Sequence, residues 1–268
     1  MKIMFDDRTP IFSARDIIQY LKSFFPASSE AQRFPKLTLE CAERFPHALD
    51  ELQRLVIGSP ELLDISDFNR EAVIAERLKQ RFNFYGTDKV GHQYHLIYGE
   101  ILSQLGVENR LNILEIGLGS QNPNIVSHME KRFQPGASIR AFRDVAVNSQ
   151  IYGADIDPEV LFSEERIQTA CVDQMNPSSF IEMNKRFLNI KYDLIIDDGL
   201  HAVSPNLNTL LFGISALKEG GWIVIEDIWN GIICWNTIYH LIPNTKFEKY
   251  LISFKLKKRV FAIRRLKV

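Results

Sequence analysis

Two patterns of apolar residues divide this chain. Over roughly the first 80 residues, apolar side chains recur at helical spacing, prolines separate the segments, and strand-like alternation is weak. We therefore predict a helical appendage over residues 1–84. The helices expected within it are Ser13–Phe25, Leu37–Leu55 and Phe68–Phe82.

From about Leu111 onward, short apolar runs alternate with longer amphipathic segments. This alternation predicts parallel strands joined by right-handed helical crossovers, and hence a layered α/β domain over residues 85–268. The last two runs are joined only by Lys255–Lys258, which predicts an antiparallel hairpin at the edge of the sheet. The predicted strands are Leu111–Ile116, Gln150–Asp155, Ile167–Val172, Tyr192–Asp197, Trp222–Glu226, Phe247–Phe254 and Arg259–Leu266, and the predicted helices are Ser138–Val145, Pro158–Glu165, Pro177–Phe187 and Ser204–Leu217.

Composition narrows the class of protein. A net charge of −1 gives no general reason to bind nucleic acid, and no stretch approaches the roughly 20 apolar residues of a membrane span. The three cysteines are far apart and form no metal-binding motif, as is usual in a reducing cytosol. The acidic, proline-containing N-terminus does not resemble a signal peptide. We therefore expect a cytoplasmic protein with neither a membrane nor a nucleic-acid partner.

A glycine-containing turn follows the first strand of the α/β region, in the sequence Asn-Ile-Leu-Glu-Ile-Gly-Leu-Gly-Ser over residues 112–120. Gly117 and Gly119 allow the backbone to turn sharply and to approach a ligand closely, and Glu115 stands at the end of the strand. A tight strand-to-helix turn would explain the glycines equally well. The third glycine of a dinucleotide-binding GxGxxG is absent, and residues 121–136 form a long loop before a helix for which Ser138 is the predicted N-cap.

Acidic and amide side chains close the next two predicted strands. Asp155 and Asp157 follow one strand, and a carboxylate there can accept hydrogen bonds from ribose hydroxyls, with Asp155 preferred. Asp173 and Gln174 follow another and can face the edge of an adenine ring. The alternative for each residue is that it caps a helix or is solvated at a strand end.

Carboxylates also converge after the fourth and fifth strands. Neighbouring strands lie roughly 5 Å apart, so Asp198, Glu226 and Asp227 can meet at one point. Clustered carboxylates need compensation, and an all-oxygen set favours a hard divalent cation such as Mg²⁺. His201 follows closely and can take a proton from a substrate hydroxyl, although a lone histidine more commonly caps a helix or binds a core carboxylate.

Taken in order, these motifs resemble those of class I S-adenosylmethionine-dependent methyltransferases, with a Rossmann-like sheet. Asp-Asp-Gly-Leu-His at 197–201, Ile-Glu-Asp at 225–227 and Tyr-Gly-Thr-Asp-Lys at 85–89 resemble one branch in particular, the macrocin and mycinamicin sugar O-methyltransferases. The likeness covers about residues 85–227. It implies that Glu115, Gly117 and Gly119 surround the methionine moiety, that Asp197 belongs with the cofactor-binding residues, and that Asp198, Glu226 and Asp227 bind the metal.

The same resemblance implies that His201 is the base, with Asp198 beside it, and that the Thr87–Tyr98 segment, with Thr87 and Lys89, borders the cofactor or the substrate. Some of these residues also have a purely structural interpretation. Lys89, His92 and His95 could form a solvated helix face, and Trp229 and Trp235 could belong to the core instead of a substrate pocket. The basic residues of Lys255–Lys267 are expected on an exposed hairpin.

The expected activity is Mg²⁺-assisted methylation of a hydroxyl on a small molecule, most simply a sugar of a natural product or glycan. The rivals are a catalytically idle cofactor-binding partner and an NAD-dependent oxidoreductase or epimerase. The acceptor and the role of the N-terminal helices, as a lid or in self-association through aromatic residues of Phe5–Phe45, are not readable from the sequence.

Overall fold

A computed structural model describes residues 35–69, 72–126, 128–129, 133–228, 232–254 and 258–267. The predicted helix Ser13–Phe25 and Trp229 lie outside these residues. The described chain forms two compact units that divide after Pro60. One contains helices α1 (Pro35–Val56) and α7 (Ile232–Leu241), in which Asn236 donates a hydrogen bond to Asp50 at 2.9 Å.

The second unit contains a mixed sheet of nine strands among the described residues, in the order β1-β8-β9-β7-β6-β2-β3-β5-β4. Strands β2, β3, β5, β6 and β7 are mutually parallel, and β9 runs antiparallel to both β7 and β8. The predicted α/β sheet with an antiparallel C-terminal hairpin is thereby confirmed, but the hairpin is not at the edge of the sheet, because β1 pairs parallel to β8 on its outer side. The strands are β1 (Leu62–Asp64), β2 (Asn112–Ile116), β3 (Gln150–Asp155), β4 (Ser163–Glu164), β5 (Ile167–Cys171), β6 (Tyr192–Asp197), β7 (Leu217–Ile228), β8 (Phe247–Ser253) and β9 (Arg259–Arg265).

Helices cover the sheet, so the central strands are buried along almost their whole length, as parallel strands usually are. The helix Val73–Tyr85 packs with the sheet-bearing unit, although the predicted appendage extends to residue 84. The helices of this unit are α2 (Val73–Tyr85), α3 (Tyr94–Leu105), α4 (Ala137–Val145), α5 (Pro177–Arg186) and α6 (Val203–Ala216). None of the described helices combines the length and apolar content needed to cross a bilayer.

Two local predictions are corrected, and one helix was not predicted. Pro158–Glu165 is not an α-helix, because the 3₁₀ turn Pro158–Val160 gives way to extended backbone at Leu161 and then to β4. Ser138 is not the cap of α4, since Gly136 takes that position with a φ of 70°. Helix α3 was not predicted, because eight of its twelve residues are buried and its exposed residues, Glu100, Ser103 and Gln104, lie only in its C-terminal half, which leaves a short amphipathic pattern.

The direction in which the sheet is wound reverses between β2 and β6, since the chain proceeds from β2 to β3 and β5 on one side and from β6 to β7 on the other. In open α/β sheets, ligands bind at this reversal, beyond the carboxyl ends of the strands. The turns after β2 and β6 meet there, and the Asp198 amide donates to the carbonyl of Ile116 at 2.8 Å.

We predict that Gly117→Ala destabilises the protein more than Gly86→Ala. Both glycines have positive φ, 96° and 73°, but a Cβ on Gly117 would lie 2.1 Å from the Asp198 carbonyl oxygen, whereas one on Gly86 meets nothing within 4 Å. Backbone strain alone costs about 1–2 kcal/mol, and the added clash should bring the loss at Gly117 to about 3 kcal/mol or more. Urea denaturation of both variants measures the difference, and equal losses would contradict the close packing of the two turns.

Candidate active site

A cavity of about 250 Å³ opens at the reversal point, near the lower end of the size range of small-molecule sites. Its walls come from the turns and loops that follow β2, β3, β5 and β6. Five of the ten residues predicted to bind or border the cofactor line it, which brings together side chains far apart in sequence. These residues are Gly117, Gly119, Asp155, Asp173 and Gln174, with Asp198 at the same wall.

Asp155 and Asp157 have different positions. The Asp155 carboxylate lines the cavity and accepts hydrogen bonds from the amides of Leu118 at 2.7 Å and Asp157 at 2.9 Å. It therefore anchors the glycine turn and also faces the space beside it. Asp157 is buried behind the turn, where it accepts a hydrogen bond from the Ser120 hydroxyl and caps the 3₁₀ turn through the Glu159 amide.

Gln174 holds the end of β6 with its side chain. Its amide donates to Asp197 at 2.9 Å and to Thr209 at 3.0 Å, and its carbonyl accepts from the Leu200 amide at 2.7 Å. Asp197 is buried, and burial raises the pKa of its carboxyl. The Asp173 carboxylate accepts a hydrogen bond from the Met175 amide at 2.9 Å, which stabilises the turn after β5. Asp197 is therefore placed behind the cavity wall, while Asp173 and Gln174 form part of it.

Glu115 does not line the cavity, and its side chain lies in the interior of the unit. It is fully buried, accepts a hydrogen bond from the Ser138 hydroxyl at 2.5 Å, and lies 3.2 Å from the ammonium nitrogen of Lys89. Burial raises the pKa of Glu115. Its role in this structure is thus to bind a buried cation of the protein itself.

Lys89 is the centre of this arrangement and is only 1% exposed, so the alternative of a solvated helix face is wrong for this residue. Its ammonium nitrogen lies 2.7 Å from Asp198 Oδ2 and 2.7 Å from Glu226 Oε2, in addition to Glu115. Burial alone would lower the pKa of Lys89, but the surrounding carboxylates prevail and hold it well above its usual value. Thr87 caps the 3₁₀ turn that carries Lys89, because its hydroxyl accepts a hydrogen bond from the Lys89 amide.

Glu226 is occupied by this lysine and by a tyrosine. Both of its oxygens contact Lys89, and Oε1 also accepts a hydrogen bond from the Tyr98 hydroxyl. Burial and the neighbouring Asp198 raise the pKa of Glu226 despite the ammonium. Part of the charge compensation that sequence reasoning assigned to a metal ion is supplied here by Lys89.

A second group of side chains stands at the solvent side of this cluster. Ligand atoms of Asp198, His201 and Asp227 lie within 4.8 Å of one another, as a bound cation requires. His201 Nε2 is 3.9 Å from Asp198 Oδ1, and both side chains are about a quarter exposed. The structure therefore brings Asp198 and Asp227 together with the predicted base, while Glu226 stands behind them.

Asp227 is aimed by an irregularity in the strand. The pairing of β7 with β9 shifts register between Ile225 and Ile228, and Asp227 has a φ of 52°. Such a bulge redirects a side chain out of the regular alternation. The Tyr94 hydroxyl donates to Oδ1 of the carboxylate, and the Lys258 ammonium lies 3.1 Å from Oδ2. Burial would raise the pKa of Asp227, but Tyr94 and the Lys258 ammonium outweigh it and lower that pKa.

Sequence reasoning missed Lys258 as a site residue, and it gave no individual role to Tyr94 and Tyr98 within the predicted Thr87–Tyr98 segment. The basic residues of Lys255–Lys267 are predicted to lie on an exposed hairpin, whereas Lys258 is only 7% exposed. The available signal was the position of Lys258 directly before β9, because β9 pairs with β7, the strand that carries Glu226 and Asp227. Trp235, expected in the core, is buried.

The donor set fits a hard divalent cation. Among the described residues, four carboxylates (Glu115, Asp198, Glu226 and Asp227) face two ammonium groups, Lys89 and Lys258. If all are ionised, two negative charges remain, which one divalent cation balances. The carboxylates of Asp198 and Asp227 supply the oxygen atoms that such ions prefer.

No protein-family model matches this chain. Among curated proteins, it is 31% identical over 121 residues to demethylmacrocin O-methyltransferase of Streptomyces fradiae and 32% identical over 121 residues to mycinamicin VI 2''-O-methyltransferase of Micromonospora griseorubida. Each match covers 28% of the relative, and 44% and 45% of this chain respectively. The matches to the curated relatives thus span about a third of their length or less.

Among solved structures, MycE methyltransferase from the mycinamycin biosynthetic pathway, in complex with Mg and SAH, superposes with a TM-score of 0.56. It is 22% identical, and the match covers 71% of this chain and 55% of that one. A second crystal form matches 98% of this chain and 62% of MycE at 18% identity. The chain has the class I methyltransferase fold. Its predicted resemblance to macrolide sugar O-methyltransferases is confirmed by these relatives.

We predict that Lys89→Met lowers the free energy of unfolding by about 3–5 kcal/mol at neutral pH, because Glu115 and Glu226 are left buried without their cation. In the variant both carboxyls have raised pKa values, so the folded state binds more protons than the unfolded state. Its stability should then increase as the pH falls from 8 to 5. Urea denaturation over this range measures the effect.

The matched control is Lys79→Met on α2, where a half-exposed lysine contacts Glu76, and the expected change is below about 0.5 kcal/mol. Adding Glu226→Gln to Lys89→Met should restore part of the lost stability. A Lys89→Met variant as stable as the control would mean that the buried cluster does not hold the three strand ends together.

Proposed function

We propose that this protein is an S-adenosylmethionine-dependent O-methyltransferase that methylates a hydroxyl of a small molecule with the help of a divalent cation. The observation that carries the proposal is a juxtaposition across the reversal point of the sheet. The glycine turn and Asp155 line a cavity, and Asp198, which lines the same cavity, also belongs to the group that includes His201 and Asp227.

The cavity suits the methyl donor. Gly117 and Gly119 have positive φ, so the backbone of the turn can approach the methionine part of a ligand without side chains in between. Asp155 is the carboxylate placed to accept hydrogen bonds from ribose hydroxyls, as acids at this strand end do in nucleotide-binding α/β folds. Asp173 and the exposed apolar residues Ile156 and Met175 are available to the adenine end.

The acceptor side suits a hydroxyl group. Asp198 and Asp227 are the residues that would hold Mg²⁺, and the bound ion would lower the pKa of a coordinated hydroxyl and fix its position. His201 lies beside Asp198 and is partly exposed, so it can remove the proton of an acceptor hydroxyl. Methyl transfer breaks the carbon–sulfur bond of the sulfonium and forms a carbon–oxygen bond. Much of the acceleration can come from alignment.

The names of the relatives support a proposal for the substrate class. Their names include demethylmacrocin and mycinamicin VI, and MycE has also been solved in complex with Mg, SAH and Mycinamycin VI. We therefore propose a sugar hydroxyl on a natural product or glycan as the acceptor. The part of each relative that this chain does not match leaves the acceptor's identity to be found by experiment.

Calorimetry tests the cofactor half of the proposal. We expect the protein to bind S-adenosylhomocysteine and not NAD. Asp155→Asn should weaken this binding by about one to two orders of magnitude, because hydrogen bonds to a charged group are worth about 1.5–3 kcal/mol. The control is Asp193→Asn, which removes a carboxylate at the opposite end of the sheet, where it accepts from Lys218 and the Asn112 amide. Binding of NAD instead would support the oxidoreductase alternative.

Methyl transfer tests the catalytic half. With S-adenosylmethionine, Mg²⁺ and a panel of hydroxylated glycosides, His201→Gln should lower kcat by about 10²–10⁴-fold and leave S-adenosylhomocysteine affinity unchanged. Asp198→Asn and Asp227→Asn should lower activity and reduce its dependence on Mg²⁺. If the protein binds the cofactor but methylates none of a broad panel, and the variants bind alike, the idle-partner alternative is favoured.

A further inference from the structure

Lys258 is a buried lysine that the proposed chemistry does not use. It directly precedes β9, whose first residue, Arg259, pairs with Ile228 just beyond the bulge. Its ammonium nitrogen lies 3.1 Å from Asp227 Oδ2 and 3.1 Å from Nε2 of His92. Burying an ammonium group is costly unless it is paired, so the position of this side chain depends on these acceptors.

The backbone around Lys258 is also held. Its carbonyl accepts a hydrogen bond from the Phe254 amide at 3.1 Å, which closes the end of the hairpin. The Phe254 ring in turn meets the Tyr94 ring edge to face, with centroids 5.4 Å apart. The hairpin thus places the Lys258 ammonium at Oδ2 of Asp227, and its Phe254 ring packs against Tyr94, which binds Oδ1 of the same carboxylate.

Tyr94 and Lys258 act on Asp227 in different ways. The tyrosine hydroxyl donates a hydrogen bond to Oδ1 and lies near the Asp227 amide as well, so it fixes where the carboxylate points. The lysine adds a positive charge at Oδ2, on a carboxylate that belongs to the cation-binding group. Removing the lysine therefore removes charge while Tyr94 keeps the carboxylate in place.

We propose that Lys258 is an internal counter-cation of Asp227 that sets how tightly the Asp198–His201–Asp227 group binds a divalent cation. This inference rests on the proposed function of that group. Without a divalent ion, the ammonium balances Asp227. With one bound, ammonium and metal share a carboxylate, and their repulsion over a few ångströms weakens binding. A cation held by less net negative charge polarises a coordinated hydroxyl more strongly.

The test is titration of the 268-residue chain with Mn²⁺, followed by electron paramagnetic resonance, in the presence of S-adenosylhomocysteine. We expect Lys258→Met to bind Mn²⁺ about tenfold more tightly than the unaltered protein, since a neighbouring positive charge is lost. Lys258→Arg keeps the charge and should stay within about threefold. Lys249→Met removes a lysine elsewhere on the hairpin, which contacts the Ile242 carbonyl, and should leave Mn²⁺ affinity unchanged.

Lys258→Gln serves as a second neutral variant, because it retains a donor for Asp227 and His92 and remains informative if the methionine variant does not fold. Tighter Mn²⁺ binding in either neutral variant supports the inference. Weaker or unchanged binding in both overturns it and would make Lys258 a residue that orients Asp227 or only stabilises the hairpin.

S-adenosylhomocysteine affinity, measured on the same samples, separates the two levels of the proposal. Loss of that binding in the unaltered protein would count against the proposed function. Normal cofactor binding without tighter Mn²⁺ binding in the neutral variants counts against the role of Lys258 alone. Thermal unfolding with and without Mn²⁺ gives a second readout, and the ion should raise the Tm of Lys258→Met more than that of Lys258→Arg.

Discussion

The site depends on one buried ammonium group. Lys89 contacts carboxylates at the ends of β2, β6 and β7, and these strands lie next to one another where the winding of the sheet reverses. A buried ion pair of this kind adds little net stability compared with apolar packing, but it is costly to disturb. Its effect is therefore on geometry, because it holds the cofactor strand and the two acidic strands at fixed positions relative to each other.

This arrangement separates two tasks that looked like one in the sequence. The clustered carboxylates form an inner group, in which Glu115 and Glu226 contact Lys89, and an outer group, in which Asp198 and Asp227 lie near His201. Asp198 belongs to both. Its Oδ2 is held by the Lys89 ammonium, and its Oδ1 is thereby directed toward the His201 side, where a cation or a positioned hydroxyl could use it.

The alternation of strands and helices from Leu111 onward was readable because buried parallel strands are short apolar runs and their crossovers are amphipathic. The predicted strands agree with the observed ones to within a residue or two, except that β7 is longer at both ends. Helix α3 shows this contrast only in its C-terminal half, where Glu100, Ser103 and Gln104 are exposed, and the Pro158–Glu165 segment has a helix-starting proline but continues into an edge strand. Which acidic side chains face the cavity was harder to predict. Asp155 and Asp157 are only two residues apart in the sequence, but they bind different parts of the glycine turn.

The cations and tyrosine around the acidic pair show why their contacts were not predicted. Lys89, Tyr94 and Lys258 come from segments before the first and after the last strand of the parallel region, and only the fold brings them to the acidic pair. Sequence spacing reveals ligands that share a turn, but it does not reveal which cation a distant segment supplies. Clustered carboxylates in a sequence therefore predict that positive charge is needed nearby. Long-range packing decides whether that charge comes from a metal ion, a lysine or both. In this protein Lys89 and Lys258 provide part of the positive charge, and the negative charge that remains matches that of one divalent cation.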